Sequence, residues 1–452
     1  MSESEGKPVR VDTAQALEVL ERANPLRVAG RVSEVTGLVV RATVPSVRVG
    51  ELVFIDVEGL PASVSQTRGA RLRAEVVGFR GDEVVLMPLG SVAGIGPDAL
   101  VSPTGRTLTV EVGEGLLGRV LDGLGQPMDG AGPLAGPTEA WPMDRPAPDP
   151  LLRRRVCRPL SLGVRAIDAF LTVGEGQRIG LFAGPGVGKS MLLGQIARNT
   201  EADVNVIGLV GERGREVVEF MEDALGEQGR ARSVVVCATS DAPSLVRLKS
   251  AFVATAIAEW FRDRGKRVLL MMDSLTRFAR AQREVGLAAG EPPVRQGFPP
   301  SVFALLPRLL ERTGNSDRGS ITAMYNVLVA GGDMEEPVAD EARSILDGHI
   351  VLSRALGERG HWPAVDVLAS LSRVMGFVAD REHLEAAARV RDILAAYEEK
   401  RDLVLLGAYK PGSDPRLDRA LAKIDAVHAF LRQGTRETSS LGETRKRLLA
   451  LV

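Results

Sequence analysis

Residues 178–200 read RIGLFAGPGVGKSMLLGQIARNT, and this stretch decides the fold. The apolar run from Arg178 to Ala183 has the length and composition of a buried strand, and a helical pattern follows Lys189 to about Arg198. Between them lies Gly184-Pro185-Gly186-Val187-Gly188-Lys189-Ser190, a Gly-rich turn from strand to helix. In such a turn successive backbone N–H groups and the helix N-terminus face phosphate oxygens. The lysine adds positive charge near the β- and γ-phosphates, and the Ser190 hydroxyl is a hard oxygen ligand for Mg²⁺. The glycines permit a backbone path that Cβ atoms block. Ala183 stands where the usual pattern begins with Gly, which leaves the phosphate-contacting part intact. The nucleotide-binding candidates are therefore Gly184, Pro185, Gly186, Val187, Gly188, Lys189, Ser190 and Met191.

Outward from this turn, strand and helix patterns alternate. The runs 205–210, 233–238, 268–272, 320–329 and 349–353 are expected strands, with helices over 245–262 and 302–311 among them. This order implies an α/β fold with a mostly parallel sheet, whose ligands bind beyond the carboxyl ends of the strands. VLLMMD (268–273) is an apolar strand ending in a carboxylate, so Asp273 is the candidate that reaches the Mg²⁺ shell, through water; a residue capping the next helix looks the same in sequence. GERGRE (211–216) follows another strand. Adjacent parallel strands end on one rim, so Glu212 is placed to act as base or orienter for the water that attacks the γ-phosphate. Arg213 either holds phosphate oxygens, positions Glu212, or forms a structural ion pair, while Arg215 and Glu216 read as helix-surface charges.

The flanks differ in character. From residue 26 to 103, short Val-rich runs separated by Gly, Pro and Asp predict a small β-barrel, with a tight hairpin at Arg80-Gly81-Asp82-Glu83. Residues 113–150 read as a Gly/Pro-rich connector. Beyond Glu382 apolar residues recur at helical spacing over 384–400, 417–431 and 441–451, predicting a C-terminal helical domain. Near the start, a short helix ending by Ala23 carries Leu17 and Leu20 on one face and is a candidate docking element. The expected division is 1–25, 26–103, 104–378 and 379–452.

Composition bounds the function. The 452 residues carry 57 basic and 58 acidic side chains, a balance that argues against a surface built to hold nucleic acid. Aromatics make up 4%, too few and too scattered for a base-stacking platform. Cys157 and Cys237 have no partners at metal-ligand spacing and are expected to be buried thiols in a reducing cytosol. The polar, acidic N-terminus has no apolar core of a signal peptide, and no run approaches a membrane span.

With these residues in view, the sequence resembles the type III protein-export ATPases of flagella and injectisomes, relatives of the catalytic subunit of rotary ATP synthases. The resemblance runs through LLGRVLDGLG (116–125), LGVRAID (162–168), ILDGHIVLSR (345–354) and HWPAVDVL (361–368). It implies an N-terminal β-barrel, a RecA-like P-loop ATPase core and a C-terminal helical domain, assembled as a homohexamer that hydrolyses ATP with Mg²⁺ between subunits. Arg373, in SLSRV (370–374), resembles the family's arginine finger. Trp362 lies where relatives carry an adenine-stacking aromatic, although large aromatics also pack as core. Tyr409 sits in a segment similar to the flagellar type.

The resemblance further implies a cytoplasmic protein peripheral to the inner-membrane export apparatus. Its partners are a stator-like regulator on the N-terminal segment, a coiled-coil stalk protein in the central pore, an export-gate membrane protein and chaperone–substrate complexes. No specific nucleic acid is implied. A rotary-synthase catalytic subunit and a non-catalytic nucleotide-binding hexamer subunit are the competing readings; the presence of both Glu212 and Arg373 in one chain weighs against each. An RNA translocase is disfavoured by the charge balance.

Overall fold

The computed structural model describes residues 28–57 and 71–452. The predicted docking helix with Leu17 and Leu20 lies outside the described residues. Chain packing divides the protein after Thr107 into two compact units.

The first unit is a closed barrel of β1 (Gly30–Thr36), β2 (Val39–Thr43), β3 (Glu51–Asp56), β4 (Arg71–Arg80), β5 (Glu83–Pro88) and β6 (Leu100–Thr107), in the order β1-β2-β5-β4-β3-β6. Alternate residues of each strand point inward, so Val40, Val53, Ile55, Val76, Leu86 and Val101 fill the interior. The expected hairpin forms with Arg80 opposite Glu83 and Gly81 at φ +62°. Closure brings β1 against β6 with Gly30 opposite Val101, and on its other side Gly30 permits a close approach to the end of β2, where a Cβ would lie 2.3 Å from the Thr43 carbonyl oxygen.

In the second unit, β7 (Thr109–Val112) pairs with β9 (Glu139–Pro142), and β8 (Val120–Asp122) extends the main sheet. That sheet continues with β10 (Arg178–Ala183), β11 (Val204–Glu212), β12 (Ser233–Thr239), β13 (Arg267–Asp273), the short β14 (Gly314–Asn315), β15 (Ser320–Leu328), β16 (Gly348–Leu352) and β17 (Val365–Ser372). The spatial order is β17-β16-β10-β15-β13-β11-β12-β8, parallel from β8 to β16, with β17 antiparallel at the edge. All nine residues of β11 are buried, as a strand covered on both faces requires. Helices 381–405, 415–431 and 441–449 form the C-terminal region and pack into the same compact unit.

Two expectations need correction. The Gly/Pro-rich stretch 113–150 is not only a connector, because β8 within it adds a parallel edge strand to the sheet; three residues are too few to give a readable pattern. Cys237 is buried in β12, but Cys157 is exposed, in an irregular arginine-rich segment that no element covers.

The sheet is braced by a fully buried ion pair. Arg312 donates two parallel hydrogen bonds to Glu259, at 2.9 and 2.8 Å, and a third to the Met143 carbonyl at 2.7 Å, with both side chains about 1% exposed. This joins the helix 244–262 to the turn after helix 300–310 and to the strand-edge segment at Met143. Removing one partner leaves an uncompensated buried charge. Glu259→Ala and Arg312→Ala are each expected to lower stability by about 3–5 kcal/mol, read from urea or thermal unfolding; an effect no larger than that of a surface substitution would count against this role.

Candidate active site

The carboxyl rim of the central strands gathers the chemistry. β10 runs into the Gly184–Gly188 turn, and Gly186 and Gly188 both take φ +76°. Gly188 caps the helix Lys189–Asn199, whose first residues carry the lysine and serine. A side chain at 188 would be excluded twice, by φ and because a Cβ would sit 2.7 Å from the Trp362 ring. β13 ends in Asp273 and β11 in Glu212; β15 carries Asn326 two residues before its end. Because these strands are neighbours and parallel, their ends converge.

The side chains meet as follows. The Lys189 ammonium donates to Asp273 Oδ1 at 2.7 Å and lies 3.9 Å from Glu212 Oε1. Asn326 Nδ2 donates to the same Asp273 oxygen at 2.5 Å. Arg277 Nη2 donates to Glu212 Oε2 at 3.1 Å, and Nη1 donates to the Gly211 carbonyl. The carboxylates of Asp273 and Glu212 are 6% and 7% exposed, so their charges interact in a medium that screens weakly. Burial, and then the Asp273 charge, push the Glu212 carboxyl up to about 8; Lys189 and Arg277 oppose this, and the neighbouring Glu216 adds to it. Glu212 Oε1, Asn326 Oδ1 and Arg277 Nε are buried with no hydrogen-bond partner, three unsatisfied polar atoms around one lysine.

Next to the turn, Trp362 and Pro363 face Val187, Met191 and Leu192 across a cleft of ≈ 270 Å³. Gln433 and Thr435, from the loop after helix 415–431, close its far side. Trp362 is 40% exposed, so it is a wall of this cleft rather than a packed core residue. Such a mostly apolar slot beside a phosphate-binding turn suits a flat heterocycle.

Lys189, Glu212, Asp273 and Trp362 are thus brought together, with Ser190 exposed at the helix start and Met191 in the cleft wall. Two predicted residues fall elsewhere. Arg213 is 77% exposed and pairs with Glu216 at 3.6 Å, the ion pair among its expected readings, and it is Arg277 that bonds Glu212. Arg277 is legible only in hindsight, as the residue four positions past the strand-terminal Asp273, in the first turn of the helix that Ser274 caps. Glu216, read as a surface charge, is half-buried against Glu212. Arg373 is exposed directly after β17, its N–H bonded to the Asp347 carbonyl at 2.9 Å. Since Ser372 pairs with Gly348 at the start of β16, Arg373 lies on the amino rim, opposite the Lys189 turn. The six residues of β10 separate the two rims by about 20 Å.

For a hard cation, Asp273 and the Ser190 hydroxyl are oxygen donors of the right kind. Among the described residues no cluster of three His, Cys, Asp or Glu side chains forms a self-sufficient metal site. Any cation held here must therefore take further ligands from phosphate and water.

The ATP synthase alpha/beta family, nucleotide-binding domain, matches residues 163–372, and the family's beta-barrel domain matches 32–105. The T3SS EscN ATPase C-terminal domain matches 379–450. The flagellum-specific ATP synthase of Bacillus subtilis is 50% identical over 440 residues, 97% of this chain and 99% of that protein. The type 3 secretion system ATPase of Xanthomonas euvesicatoria is 53% identical over 94% of each. The assembled ATPase EscN of the enteropathogenic E. coli type III secretion system superposes with a TM-score of 0.87 at 45% identity, covering 93% of this chain and 99% of that one. The same ATPase in complex with its central stalk EscO superposes at 0.85. With barrel, phosphate-binding sheet and helical tail each matched in order and at about half identity throughout, the chain belongs to the ATP synthase alpha/beta family, among the ATPases of flagellar and type III secretion export.

Proposed function

We propose that this chain hydrolyses ATP with Mg²⁺ as a homohexamer and thereby powers flagellar-type protein export, releasing and unfolding chaperone–substrate complexes at the membrane gate. The observation that carries the reading is the split of the machinery between two rims: Lys189, Glu212 and Asp273 on one, Arg373 about 20 Å away on the other. An arginine so far from its own turn reaches a γ-phosphate only in a neighbouring copy.

In this reading the backbone of Gly184–Gly188 and the start of the following helix cradle the phosphates, and Trp362 with Met191 holds the base. Lys189 exchanges Asp273 for the β- and γ-phosphates. Ser190 and, through water, Asp273 would hold Mg²⁺, which supplies charge neutralisation at the phosphate oxygens. Glu212, oriented by Arg277, aligns the attacking water and, in its ionised form, takes its proton. Arg373 of the next copy stabilises charge on the transferred phosphoryl group, a contribution of roughly 10³–10⁵ in rate for fingers of this sort.

The partners proposed are a coiled-coil stalk in the pore, by analogy with the EscN–EscO complex, a regulator on residues 1–25, the export gate, and chaperone complexes on the C-terminal helices. Among the described residues no helix is long and apolar enough to cross a membrane, which suits a subunit peripheral to the inner-membrane apparatus on its cytoplasmic side. The flagellar branch rests on the segment around Tyr409.

Lys189→Ala is expected to abolish nucleotide binding, and Glu212→Gln to retain binding while losing turnover by at least about 10². Mixing Lys189→Ala with Arg373→Ala chains should regenerate activity, because each mixed interface of one kind is complete. No recovered turnover in verified mixed rings would refute trans completion. Glu212 also makes stability depend on pH. Its folded-state carboxyl titrates near 8, above its unfolded value, so the nucleotide-free protein binds the extra proton and loses stability as pH rises from about 4.5 through 8. Glu212→Gln should flatten that slope in unfolding curves taken across this range; an unchanged slope would assign it to other groups.

A further inference from the structure

The amino rim of the sheet carries a feature that hydrolysis does not use. A cleft of ≈ 350 Å³ is lined by Arg154, Arg155, Arg158, Arg267 and Arg318, against only two carboxylates, Glu175 and Asp203. Arg267 is engaged by both acids, at 2.8 Å to Asp203 and 3.5 Å to Glu175. Arg154 donates to the Asp317 carbonyl, which adds no countercharge. Arg155 and Arg158 are exposed and, among the described residues, make no side-chain ion pair or hydrogen bond. At the cleft wall the Ser320 hydroxyl is buried with no hydrogen-bond partner, in a residue 5% exposed. Arg318 lies 3.8 Å from the Asp317 carboxylate, so Arg154, Arg155 and Arg158 are the guanidinium groups of the cleft without an acid. Such groups repel one another, and a buried hydroxyl without a partner is costly, so the cleft suits oxygen anions supplied from outside.

The sheet order identifies the source. Bringing Arg373 at β17 against a phosphate at the end of a neighbour's β10 sets two rims face to face with an offset of two strands, from β17 past β16 to β10. The same offset sets the starts of β15 and β13, where Ser320, Arg318 and Arg267 lie, opposite the ends of β11 and β12. Just past those ends stand Glu219, on the helix Gly214–Glu219, and exposed Asp241. Glu219 pairs within its own chain only with Arg215, whose side chain is 87% exposed, an arrangement worth little and readily exchanged.

We propose that the arginine cleft is a subunit-docking seat that receives the carboxylates of Glu219 and Asp241 from the next copy in the ring. It rests on the hexamer reading above and adds what holds neighbouring copies in register. Charge complementarity of this kind fixes the orientation in which neighbouring copies meet.

The test uses the full chain with Mg²⁺ and ATP, following ring formation by sedimentation and turnover against protein concentration. Arg155→Glu/Arg158→Glu and Glu219→Arg/Asp241→Arg are each expected to raise the half-assembly concentration by at least about tenfold, and the milder Arg155→Gln/Arg158→Gln to raise it less. The chain carrying all four reversals should assemble again within about threefold of wild type. Nucleotide binding and the thermal midpoint of each variant report that the subunit is folded. Assembly unchanged by either pair of reversals, or a four-fold reversal no better than its halves, overturns the seat. A midpoint raised by millimolar inorganic phosphate in wild type but not in Arg155→Glu/Arg158→Glu, with assembly unmoved, overturns it in favour of a small-anion site. Wild type that forms no ring and is equally active at all concentrations sinks the hexamer reading itself, a result distinct from these.

Discussion

The second unit depends on one buried charge: the ammonium of Lys189, which faces two carboxylates at the ends of adjoining strands. Asp273 and Glu212 are both more than nine-tenths buried, and two like charges in that setting cannot both remain ionised without a cation between them. Lys189 answers Asp273 at 2.7 Å, and Glu212, farther away, is the member driven toward its neutral form. Arg277 holds Glu212 by one oxygen and leaves the other without a partner. The arrangement is balanced only while Lys189 stays with Asp273. A triphosphate that draws the lysine away leaves the Asp273 carboxylate with Asn326 as its side-chain partner.

A second set of buried polar groups ties this rim to the helical tail. Asp168 is fully buried and accepts from the Ser161 hydroxyl and from the N–H groups of Leu162 and Gly163, while burial pushes its carboxyl up to about 7. Its neighbour Arg165 donates to the Phe430 and Arg432 carbonyls and to Glu437. Gln433 accepts from the Arg165 N–H, donates to the Gly163 carbonyl, and through its own N–H reaches the Trp362 carbonyl at 2.9 Å. The loop that closes the cleft beside Trp362 is thus the loop that ends helix 415–431. A displacement of the base-binding wall has a direct mechanical route into the C-terminal helices through hydrogen bonds, of which those of Arg165 to Gln433 and the Phe430 carbonyl and of Gln433 to the Gly163 carbonyl are buried and cost free energy to break.

Much of this was legible in the sequence where a single stretch carries both an element and its chemistry. The 178–200 strand, turn and helix, the strand-terminal Asp273 and the Glu212 that follows β11 are local patterns, and parallel order alone brings them together. What escaped depends on tertiary neighbours. β17 pairs antiparallel with β16 across a twelve-residue excursion, so no local period announces it. Arg277 looks like any helix-surface arginine until β11 and β13 are adjacent, and Arg213, next to Glu212 in sequence, is carried away from it because a strand and its continuing chain turn outward at the rim. Sequence adjacency did not point to the arginine that bonds Glu212. The exposure of Cys157 had the same origin, since thiol burial is a statistical habit, whereas this residue lies among arginines that occupy the surface.

The two rims of the sheet impose a direction on assembly. A parallel sheet has a chemically distinct end for each strand terminus: here one rim holds the phosphate turn with its lysine and carboxylates, and the other holds Arg373 and an excess of guanidinium groups. Two copies that meet through the same rim bring like charge to like charge and leave Arg373 away from the partner's phosphate turn. Copies that meet rim to opposite rim satisfy both at once, and repetition of that heterologous contact gives a ring where the rotation closes, not an isologous dimer. In the proposed hexamer, the strand polarity that places Lys189 beside Asp273 and Glu212 is then also what carries the subunit's own Arg373 to the far rim, so that each site is completed by the next copy.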